Sequence, residues 1–329
     1  MDANTINRPV VVVADCRTDH VHIDSGTDDL DIYTREELEE ILSALRAVCS
    51  RLTVLSSPAE LIASIRNYPG ALVIPLWSGK ISRNRTALVS AISEAYGMDF
   101  FGADVYGCII GQDKSLAKQI AKDFEIHSPA SVLIHSTDRL HLLELLMPPL
   151  VVKPNLQGSS IGISTRNLCA TFSEATAVVN DLLNKFGQPV LVETFVEGIE
   201  TTVTIFGYDG RVRLFQAIEI FEPTGLIDYS KTIWSYELKK ASNRLPKAQR
   251  AITLSVADTQ KLQRLFFALG KMDLVRIDGR IRDGVFYFLE MNPEPYLSSI
   301  GSVAKSFELH GFTYKEMFRQ LLLPFEVNS

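Results

Sequence analysis

Two short segments near the carboxyl end of the chain carry side chains suited to binding a metal ion and a phosphate group. Arg276 and Asp278 are separated by one residue, as are Glu290 and Asn292, and both segments alternate like β-strands. The Asp283-Gly284 turn between them predicts a hairpin that sets the two pairs opposite each other. Two carboxylates and an amide oxygen are ligands that Mg²⁺ prefers, and an arginine stabilises charge on a transferring phosphoryl group. The four residues together favour a metal site over a salt-bridged pair of strands.

A glycine-rich segment follows a lysine in the middle of the chain. Lys153 ends an apolar run, and Gly158-Ser159-Ser160-Ile161-Gly162 begins five residues later. An ammonium group and the backbone N–H groups of such a turn can surround phosphate oxygens. Taken alone, however, the segment is better explained by an ordinary turn beside a solvated lysine, since short glycine motifs are weak indicators. The chain has neither G-x-x-x-x-G-K-[ST] nor G-x-G-x-x-G, which excludes a P-loop enzyme and a dinucleotide-binding protein by motif.

Carboxylates cluster in a third segment, residues 193–200, which begins with Glu193 and ends with Glu200. Carboxylates hydrogen-bond ribose hydroxyls in other nucleotide-binding folds. On this segment alone, an acidic solvated turn is the better interpretation.

Alternating strands and helices must position these side chains. Residues 10–14, 52–55 and 71–76 are short apolar runs typical of buried parallel strands. Thr34 and Glu37 have the spacing of a capping box at the start of a helix. This pattern predicts a parallel sheet covered by helices.

The rest of the chain predicts further helices and two hairpins. Asp209-Gly210 and Asp283-Gly284 lie between alternating apolar runs, which indicates hairpin turns. Residues 222–250 are polar and lack a clean period, which is typical of a lid, a binding loop or a disordered segment. The helices are predicted at residues 113–124, 136–147, 173–186 and 313–323.

Composition limits the classes of protein. The chain has 329 residues, of which 46% are hydrophobic and 22% charged, as in an ordinary globular protein of two or three domains or one large one. A net charge of −6 argues against a general nucleic-acid binder but leaves room for a local basic pocket. The four cysteines lack zinc-ligand spacing, and we expect reduced, mostly buried thiols. No apolar run approaches the roughly 18–20 residues of a membrane span, so we expect a cytoplasmic protein without membrane partners.

Taken in order, these segments resemble an ATP-grasp enzyme, most closely the D-alanine–D-alanine ligase family. The resemblance covers roughly residues 100–329 and is carried by Asp113-Lys114 and by the segments VVKPNLQGSSIGIS (151–164), FVEGIETTV (195–203), VRID (275–278) and FLEMNP (288–293). It implies an α/β fold in three domains. These are an N-terminal parallel α/β domain (1–102), a central α+β domain (103–190) and a C-terminal α+β domain with hairpins (191–329), which contains a mobile loop near 222–250.

The resemblance also implies a nucleotide site. ATP and Mg²⁺, which Mn²⁺ can replace, are the implied cofactors. Asp278, Glu290 and Asn292 would hold the metal ion. The residues implied to contact ATP are Lys114, Lys153, Ser159 and Ser160 at the phosphates, Glu193, Phe195 and Val196 at the adenine, Glu200 at the ribose and Lys231 at the γ-phosphate.

Catalysis is implied at four positions: Arg276 would stabilise the acyl-phosphate chemistry, with Ser160, Tyr229 and Lys231 assisting. Tyr229 and Lys231 occur where the family has its mobile loop.

Three departures from the family concern the amino-acid substrates. The family's Gly-Gly-x-Ser segment, which comes with an amine-binding glutamate, is replaced by residues 14–19, ADCRTD. Its His-Gly-x-x-Gly-Glu-Asp-Gly segment is replaced by residues 77–84, WSGKISRN. Its Pro-Gly, whose backbone N–H helps to form an oxyanion site, is Pro295-Tyr296 here. The nucleotide side is therefore retained while the substrate side is changed.

We predict an ATP-dependent carboxylate–amine ligase that joins small amino-acid-like substrates through an acyl-phosphate, and we expect substrates other than two D-alanines. The resemblance implies a homodimer. Three alternatives remain open: a true D-alanine–D-alanine ligase with a divergent N-terminus, a nucleotide-binding protein without turnover, and a phosphotransferase that needs no acceptor amine. The retained metal-binding set argues against the nucleotide-binding protein.

Overall fold

Three β-sheets organise the residues that the computed structural model describes, which are 5–20, 32–79, 83–158, 160–235, 238 and 248–326. The strands are β1 (Val10–Ala14), β2 (Leu52–Leu55), β3 (Leu72–Leu76), β4 (Asp99–Phe100), β5 (Ser131–Ile134), β6 (Leu150–Pro154), β7 (Leu168–Cys169), β8 (Val190–Thr194), β9 (Ile199–Tyr208), β10 (Arg211–Phe221), β11 (Ala248–Ile252), β12 (Leu274–Arg282) and β13 (Val285–Asn292). The α-helices are α1 (Arg35–Arg46), α2 (Pro58–Ser64), α3 (Leu88–Ala95), α4 (Val105–Gln112), α5 (Lys114–Asp123), α6 (Phe172–Phe186), α7 (Val256–Ala268), α8 (Ser302–Leu309) and α9 (Tyr314–Leu322). This mixed α/β architecture confirms the predicted fold class.

The first sheet is parallel, in the order β2-β1-β3-β4, as the apolar runs predicted. Val10 and Val12 pack into one core with α1, while Val11 and Val13 pack into a second core on the other face. Helices on both faces explain why every residue of β1 is buried. The capping box of α1 is confirmed, since Thr34 Oγ1 accepts the Glu37 N–H and Glu37 accepts the Thr34 N–H.

The second sheet is antiparallel, in the order β5-β8-β6-β7, and α6 covers it. The α-helix predicted at residues 136–147 is wrong, because Thr137–Leu145 forms a 3₁₀ helix. Leu140, Leu143 and Leu146 are three residues apart and pack on the core, which suits three residues per turn. Leu145 lies outside this row and is exposed.

The third sheet is antiparallel, in the order β11-β10-β9-β12-β13, and contains both predicted hairpins. Asp209 and Gly210 have φ of 52° and 67°, and Asp283 and Gly284 have 52° and 78°. Two consecutive residues with positive φ make the turn whose twist matches that of the flanking strands, and Asp-Gly adopts it readily. The segment 222–250 ends in this sheet, because β11 begins at Ala248 and pairs with β10.

Four apolar cores connect these layers. Helices α4 and α5 pack on the third sheet, whereas the second sheet and α6 have a core of their own. Helices α8 and α9 share a core with α1 and the first sheet, which fixes the N-terminal layer against the third sheet. The domain limits at residues 102 and 190 stay a prediction. Among the described residues, no helix combines the length and apolar character needed to cross a bilayer.

Candidate active site

The β12–β13 hairpin places the predicted metal-binding residues side by side. The two predicted pairs are opposite each other: Arg276 is opposite Asn292, and Asp278 is opposite Glu290, with a register shift between Asp278 and Gly279. Arg276 binds both carboxylate oxygens of Asp278, with Nε at 2.9 Å from Oδ1 and Nη2 at 2.8 Å from Oδ2. Asn292 Nδ2 donates to Asp278 Oδ2 at 3.0 Å, and Thr202 Oγ1 donates to Oδ1 at 2.8 Å. The hairpin thus holds two carboxylates and an amide on one face of adjacent strands.

These donors fit a magnesium ion. Carboxylate and amide oxygens are hard ligands, and Mg²⁺ usually takes only one or two carboxylates from the protein and completes its shell with waters and substrate phosphates. The described residues contain no group of three Asp, Glu, His or Cys side chains that could hold a metal ion, in keeping with a set of two carboxylates and one amide. The Asn292 amide donates through its nitrogen, which leaves its oxygen available as a ligand.

Lys114 connects the metal-binding residues with the glycine-rich segment. Its Nζ lies 3.3 Å from Glu290 Oε2 and donates to the Gln157 carbonyl oxygen at 2.5 Å. The lysine is buried at the start of α5, whose cap Asp113 accepts a hydrogen bond from Asn155 Nδ2 at 2.8 Å. A cation in this position would face phosphate groups that lie between the hairpin and the turn.

A second group of charges is fully buried. Glu193 Oε1 lies 2.6 Å from Lys153 Nζ, and Oε2 lies 2.9 Å from Lys118 Nζ. Burial alone would raise the pKa of Glu193, but the two ammonium groups outweigh it and lower that pKa. Burial lowers the pKa of Lys118 to about 8, with Lys153 adding to the shift and Glu193 opposing it. The group has two cations for one anion and therefore favours an anionic ligand.

The glycine-rich turn is held from two sides. Ser160 has φ of 58°, and its Oγ donates to the Trp234 carbonyl oxygen at 2.7 Å. Gly162 has φ of 76°, and a Cβ there would lie 2.7 Å from the Phe186 ring and 2.9 Å from Pro154. Gly162 is therefore required both for the backbone conformation and for the packing. Ser159 lies outside the described residues.

Arg280, on β12 of the third sheet, binds the loop after β10 through several hydrogen bonds. All of its N–H-bearing nitrogens donate: Nε to Glu200, Nη1 to the Val196 and Ser230 carbonyls, and Nη2 to the Tyr229 and Thr232 carbonyls. The side chain is only 4% exposed. Its Cζ also lies 4.7 Å from the Phe195 ring centroid, so Phe195 and Val196, the predicted adenine contacts, are both held by Arg280.

Glu200, the predicted ribose contact, is the counter-ion of Arg280 at 2.8 Å. Burial raises the pKa of Glu200 to about 7, although the guanidinium opposes that shift. This carboxyl group therefore gains or loses a proton near neutral pH, and its charged form depends on Arg280.

The two predicted catalytic residues in the loop after β10, Tyr229 and Lys231, differ in exposure. Tyr229 is buried, and its ring lies 4.6 Å from that of Trp234. Lys231 is 67% exposed, with Nζ 3.8 Å from Asp228 and 3.9 Å from Glu197. Neither side chain lines the cleft at the hairpin, and their roles stay predictions. Of the same loop, residues 236, 237 and 239–247 lie outside the described residues.

The main cleft runs from the hairpin to the first sheet. Lys114, Gly158, Arg276, Glu290 and Asn292 line its charged end. We call the part of the cleft lined by Tyr33, Leu76, Trp77, Phe101, Leu274 and Tyr296 its apolar end; Ser78, Arg85 and Thr86 also line the cleft.

Glu294 is the acidic group at this apolar end. Its Oε1 lies 3.7 Å from Cys108 Sγ, and burial raises its pKa to about 8, with the thiol opposing the shift. Cys108 itself is a buried free thiol, as are Cys16, Cys49 and Cys169, which confirms the prediction for the cysteines.

Loops of the first sheet form the wall of that end. Asp15 follows β1 and accepts the Ser78 N–H at 2.8 Å and the Gly79 N–H at 2.9 Å. Gly79 has φ of 57°, and the Trp77 ring covers the place where a Cβ would be. The two segments that depart from the family, residues 14–19 and 77–84, therefore contact each other beside the cleft.

The sequence contained signals for some of the residues that we did not predict. Lys118 follows Lys114 by one helical turn and so shares its face. Arg280 follows Asp278 by two residues on a strand and is opposite Glu200 on β9. Glu294 had no signal, because its position depends on how the loop after β13 packs against α4.

Comparison with known proteins identifies the family. The family model described as "D-ala D-ala ligase C-terminus" matches residues 123–323. The D-alanine–D-alanine ligase of Aquifex aeolicus is 26% identical over 282 residues, which cover 84% of this chain and 90% of that protein. The corresponding ligase of Nitratiruptor sp. is 27% identical over 230 residues, which cover 70% of this chain and 64% of that protein.

Solved structures agree on the fold. The D-alanine–D-alanine ligase of Bacillus anthracis complexed with ATP matches with a TM-score of 0.72 at 19% identity, covering 98% of this chain and 97% of that one. The D-alanyl-alanine synthetase A of Vibrio cholerae matches with a TM-score of 0.70 at 18% identity, covering 98% and 100%. With the family match over more than half of its length, the chain belongs to the D-alanine–D-alanine ligase-like family of ATP-grasp ligases.

Proposed function

We propose that the protein is an ATP-dependent carboxylate–amine ligase. One substrate's carboxylate would attack the γ-phosphate of ATP to give an acyl-phosphate and ADP. The amine of a second substrate would then displace phosphate and form an amide. The observation that carries this proposal is the register of β12 and β13, which aligns Asp278 with Glu290 and Arg276 with Asn292.

Each charged residue has a task in this proposal. Asp278, Glu290 and Asn292 would hold a magnesium ion, which supplies charge neutralisation at the phosphates. Lys114 would leave part of its contact with Glu290 to bind a phosphate oxygen, and Lys153 lies in the strand that leads into the glycine-rich turn. Arg276 would stabilise negative charge on the transferring phosphoryl group, because its guanidinium is already oriented by Asp278. Closure of the loop that carries Tyr229 and Lys231 would exclude water from the acyl-phosphate.

We further propose that the two substrates are not both D-alanine. The segments 14–19 and 77–84 and the Pro295-Tyr296 pair replace family motifs, and all three contribute residues at or beside the apolar end of the cleft. The second candidate is a genuine D-alanine–D-alanine ligase, which is favoured by the names of the relatives. The homodimer stays a prediction in either case.

The test is phosphate release from ATP with Mg²⁺ against L- and D-amino acids and amines, offered singly and in pairs, with products identified by mass spectrometry. Release that requires a pair, with a product mass equal to the sum of the pair minus water, supports the ligase. Hydroxylamine added with a single carboxylate should give a hydroxamate, because it traps an acyl-phosphate. Efficient formation of D-alanyl-D-alanine would refute the claim about the substrates and leave the ligase intact.

Two matched variants distinguish the loss of a residue at the proposed metal site from a general effect of the same substitution. Asp278→Asn removes one charge at the proposed metal site and should lower phosphate release by at least about a hundredfold. Asp209→Asn makes the same change in a distant hairpin turn, where asparagine also tolerates positive φ, and should leave release unchanged. Release with a single substrate and no trapped acyl group would identify a phosphotransferase. ATP binding without release for any pair would count against the ligase.

A further inference from the structure

The apolar end of the main cleft is a preformed pocket with aromatic walls. Tyr296 stacks on Tyr33 with ring centroids 4.6 Å apart and planes inclined by 16°. Tyr33 Oη accepts the Leu297 N–H at 3.1 Å, and Tyr314 Oη donates to the Leu297 carbonyl oxygen at 3.0 Å. These bonds fix the backbone beside Tyr296, so the stacked pair is held in place without a ligand.

Trp77, which lines the same cleft, is held in place as well. Trp77 lies between β3 and Gly79, and the Gly79 and Ser78 N–H groups are bound by Asp15. Because the indole ring covers the Cα of Gly79, any side chain at position 79 would displace it. Trp77 and the stacked pair line the same cleft, together with Phe101 and Leu274.

Two of the described residues that line the cleft carry carboxyl groups; Glu290 belongs to the proposed metal site, which leaves Glu294 at the apolar end. Glu294 lines the cleft, and within the described part of the chain its side chain contacts only the Cys108 thiol as a polar partner. A thiol is a weak donor. A carboxyl group in apolar surroundings gains most from a charged donor, and an ammonium group of the substrate would supply one.

These observations point to the substrate class. We propose that the substrate bound at this end of the cleft is an amino acid with an aromatic or large apolar side chain, with its ammonium group on Glu294 and its side chain between Trp77 and the Tyr33–Tyr296 pair. The inference rests on the proposed function, since it names a substrate of that same site. The methyl group of alanine would leave most of these aromatic walls in contact with water, whereas a phenyl group would cover them.

The ammonium group identifies which substrate this is. In amide formation, the amine nitrogen of the acceptor substrate forms the new bond to the activated carboxyl group. The amine of the activated substrate does not react and stays available for binding. Glu294 follows Asn292 by two residues and so stands next to the charged end of the cleft, where the acyl-phosphate would form. The pocket therefore binds the substrate that is activated, with its carboxylate toward Arg276.

The experiment measures binding, so that it does not depend on turnover. Calorimetry of the full chain with Mg²⁺ and the β,γ-imido analogue of ATP would compare the two enantiomers each of phenylalanine and alanine, and 3-phenylpropanoate, which lacks the amine. We expect one enantiomer of phenylalanine to bind at least about tenfold more tightly than either alanine. Alanine binding as tightly as phenylalanine, or neither binding, would overturn the inference. The phosphate-release assay would report on the ligase independently.

Variants test the two parts of the pocket. Glu294→Gln keeps the size of the side chain and should weaken phenylalanine binding by about tenfold or more while leaving 3-phenylpropanoate within about twofold. A merely structural role of Glu294 would weaken both ligands alike and would refute the assignment. Glu125→Gln is the matched control on the surface and should change neither. Trp77→Leu keeps an apolar side chain and should reduce the preference for phenylalanine over alanine; an unchanged preference would refute the role of Trp77.

Discussion

Replacing Arg280 by methionine tests how the loop after β10 is held to the third sheet. The guanidinium is buried and donates to four backbone carbonyls and to Glu200. Methionine fills a similar length of apolar stem but leaves Glu200 without its cation and the carbonyls without a donor.

The magnitude follows from these contacts. Breaking a buried ion pair by removing one partner costs about 3–5 kcal/mol, and an unsatisfied buried acceptor costs about 1–3 kcal/mol. The terms do not add, because the loop between Tyr229 and Thr232 would move and let water reach its carbonyls. We expect the free energy of unfolding to fall by about 4 kcal/mol at pH 8.

The pH dependence gives a second readout. Burial raises the pKa of Glu200 to about 7, above its unfolded value of roughly 4.3. Such a group stabilises the folded state fully at pH values below its pKa in the unfolded chain. This contribution is lost as the pH rises through the pKa of the group in the folded protein. Without Arg280 the folded pKa rises further, so the loss extends to higher pH in the variant. The difference in stability between wild type and variant should therefore be smaller at pH 5 than at pH 8.

The assay is urea unfolding followed by tryptophan fluorescence, to which Trp77 and Trp234 both contribute; Trp234 packs against Tyr229. Arg280→Met combined with Glu200→Gln removes the buried charge and should recover about 2 kcal/mol at pH 8. Arg282→Met makes the same change at an exposed position on β12 and should cost less than about 0.5 kcal/mol. A deficit below about 1 kcal/mol, or one that neither pH nor the second substitution alters, would refute the reasoning.

Two further predictions concern the nucleotide side of the site. Glu193→Gln leaves the Lys118 and Lys153 ammonium groups buried without their counter-ion, so the melting temperature should fall by an amount equivalent to about 3 kcal/mol; an unchanged thermal transition would contradict this. Gly162→Ala should lower the free energy of unfolding, measured in urea, by at least about 2 kcal/mol. The added Cβ would clash with Phe186, and the alanine would also have to adopt a positive φ. The control Gly187→Ala has a similar φ but open space and should cost about 1 kcal/mol; equal losses would show that packing at Gly162 is unimportant.

The hairpin that carries the proposed metal site was predictable from sequence for a specific reason. Asp283-Gly284 fixes the turn, and the strand period of two places Arg276 with Asp278 on one face and Glu290 with Asn292 on one face. The exact pairing was not predictable in this way, because counting back from the turn sets Asp278 opposite Leu289. A β-bulge between Asp278 and Gly279 shifts the register by one residue and sets Asp278 opposite Glu290.

Residues 136–147 show where this reasoning fails. The segment has leucines at both helical and non-helical spacings, and its conformation is decided by contact of Leu143 and Leu146 with the second sheet. Tertiary contacts of this kind are not visible in a local pattern. Helix α7 was missed for another reason, because its local signals were present and were not used. Ser255 caps the helix by accepting the Asp258 N–H, and Leu262, Leu265 and Phe266 are at helical spacing.

The sequence also did not indicate which charged residues pair with each other. Glu193 was predicted to contact adenine and Glu200 to contact ribose, yet the sequence did not indicate that Lys118 and Arg280 are their counter-ions. Each pair joins residues about 75–80 positions apart, which only the folded chain brings together. The roles of both glutamates at a nucleotide stay predictions.

These pairings explain how an acidic chain can bind a polyanionic nucleotide. The net charge of the protein is −6, but the site combines four carboxylates with five cations. The pairs are Asp278 with Arg276, Glu290 with Lys114, Glu200 with Arg280, and Glu193 with both Lys118 and Lys153. Because each carboxylate has a cation within 3.3 Å, the cations are oriented before any ligand arrives, and their surplus positive charge is held in a partly buried region where it is weakly screened. Asp278 and Glu290 would hold the metal ion, and Arg276 and Lys114 would face the phosphates, so the residues that pair with one another in this structure would also bind the nucleotide.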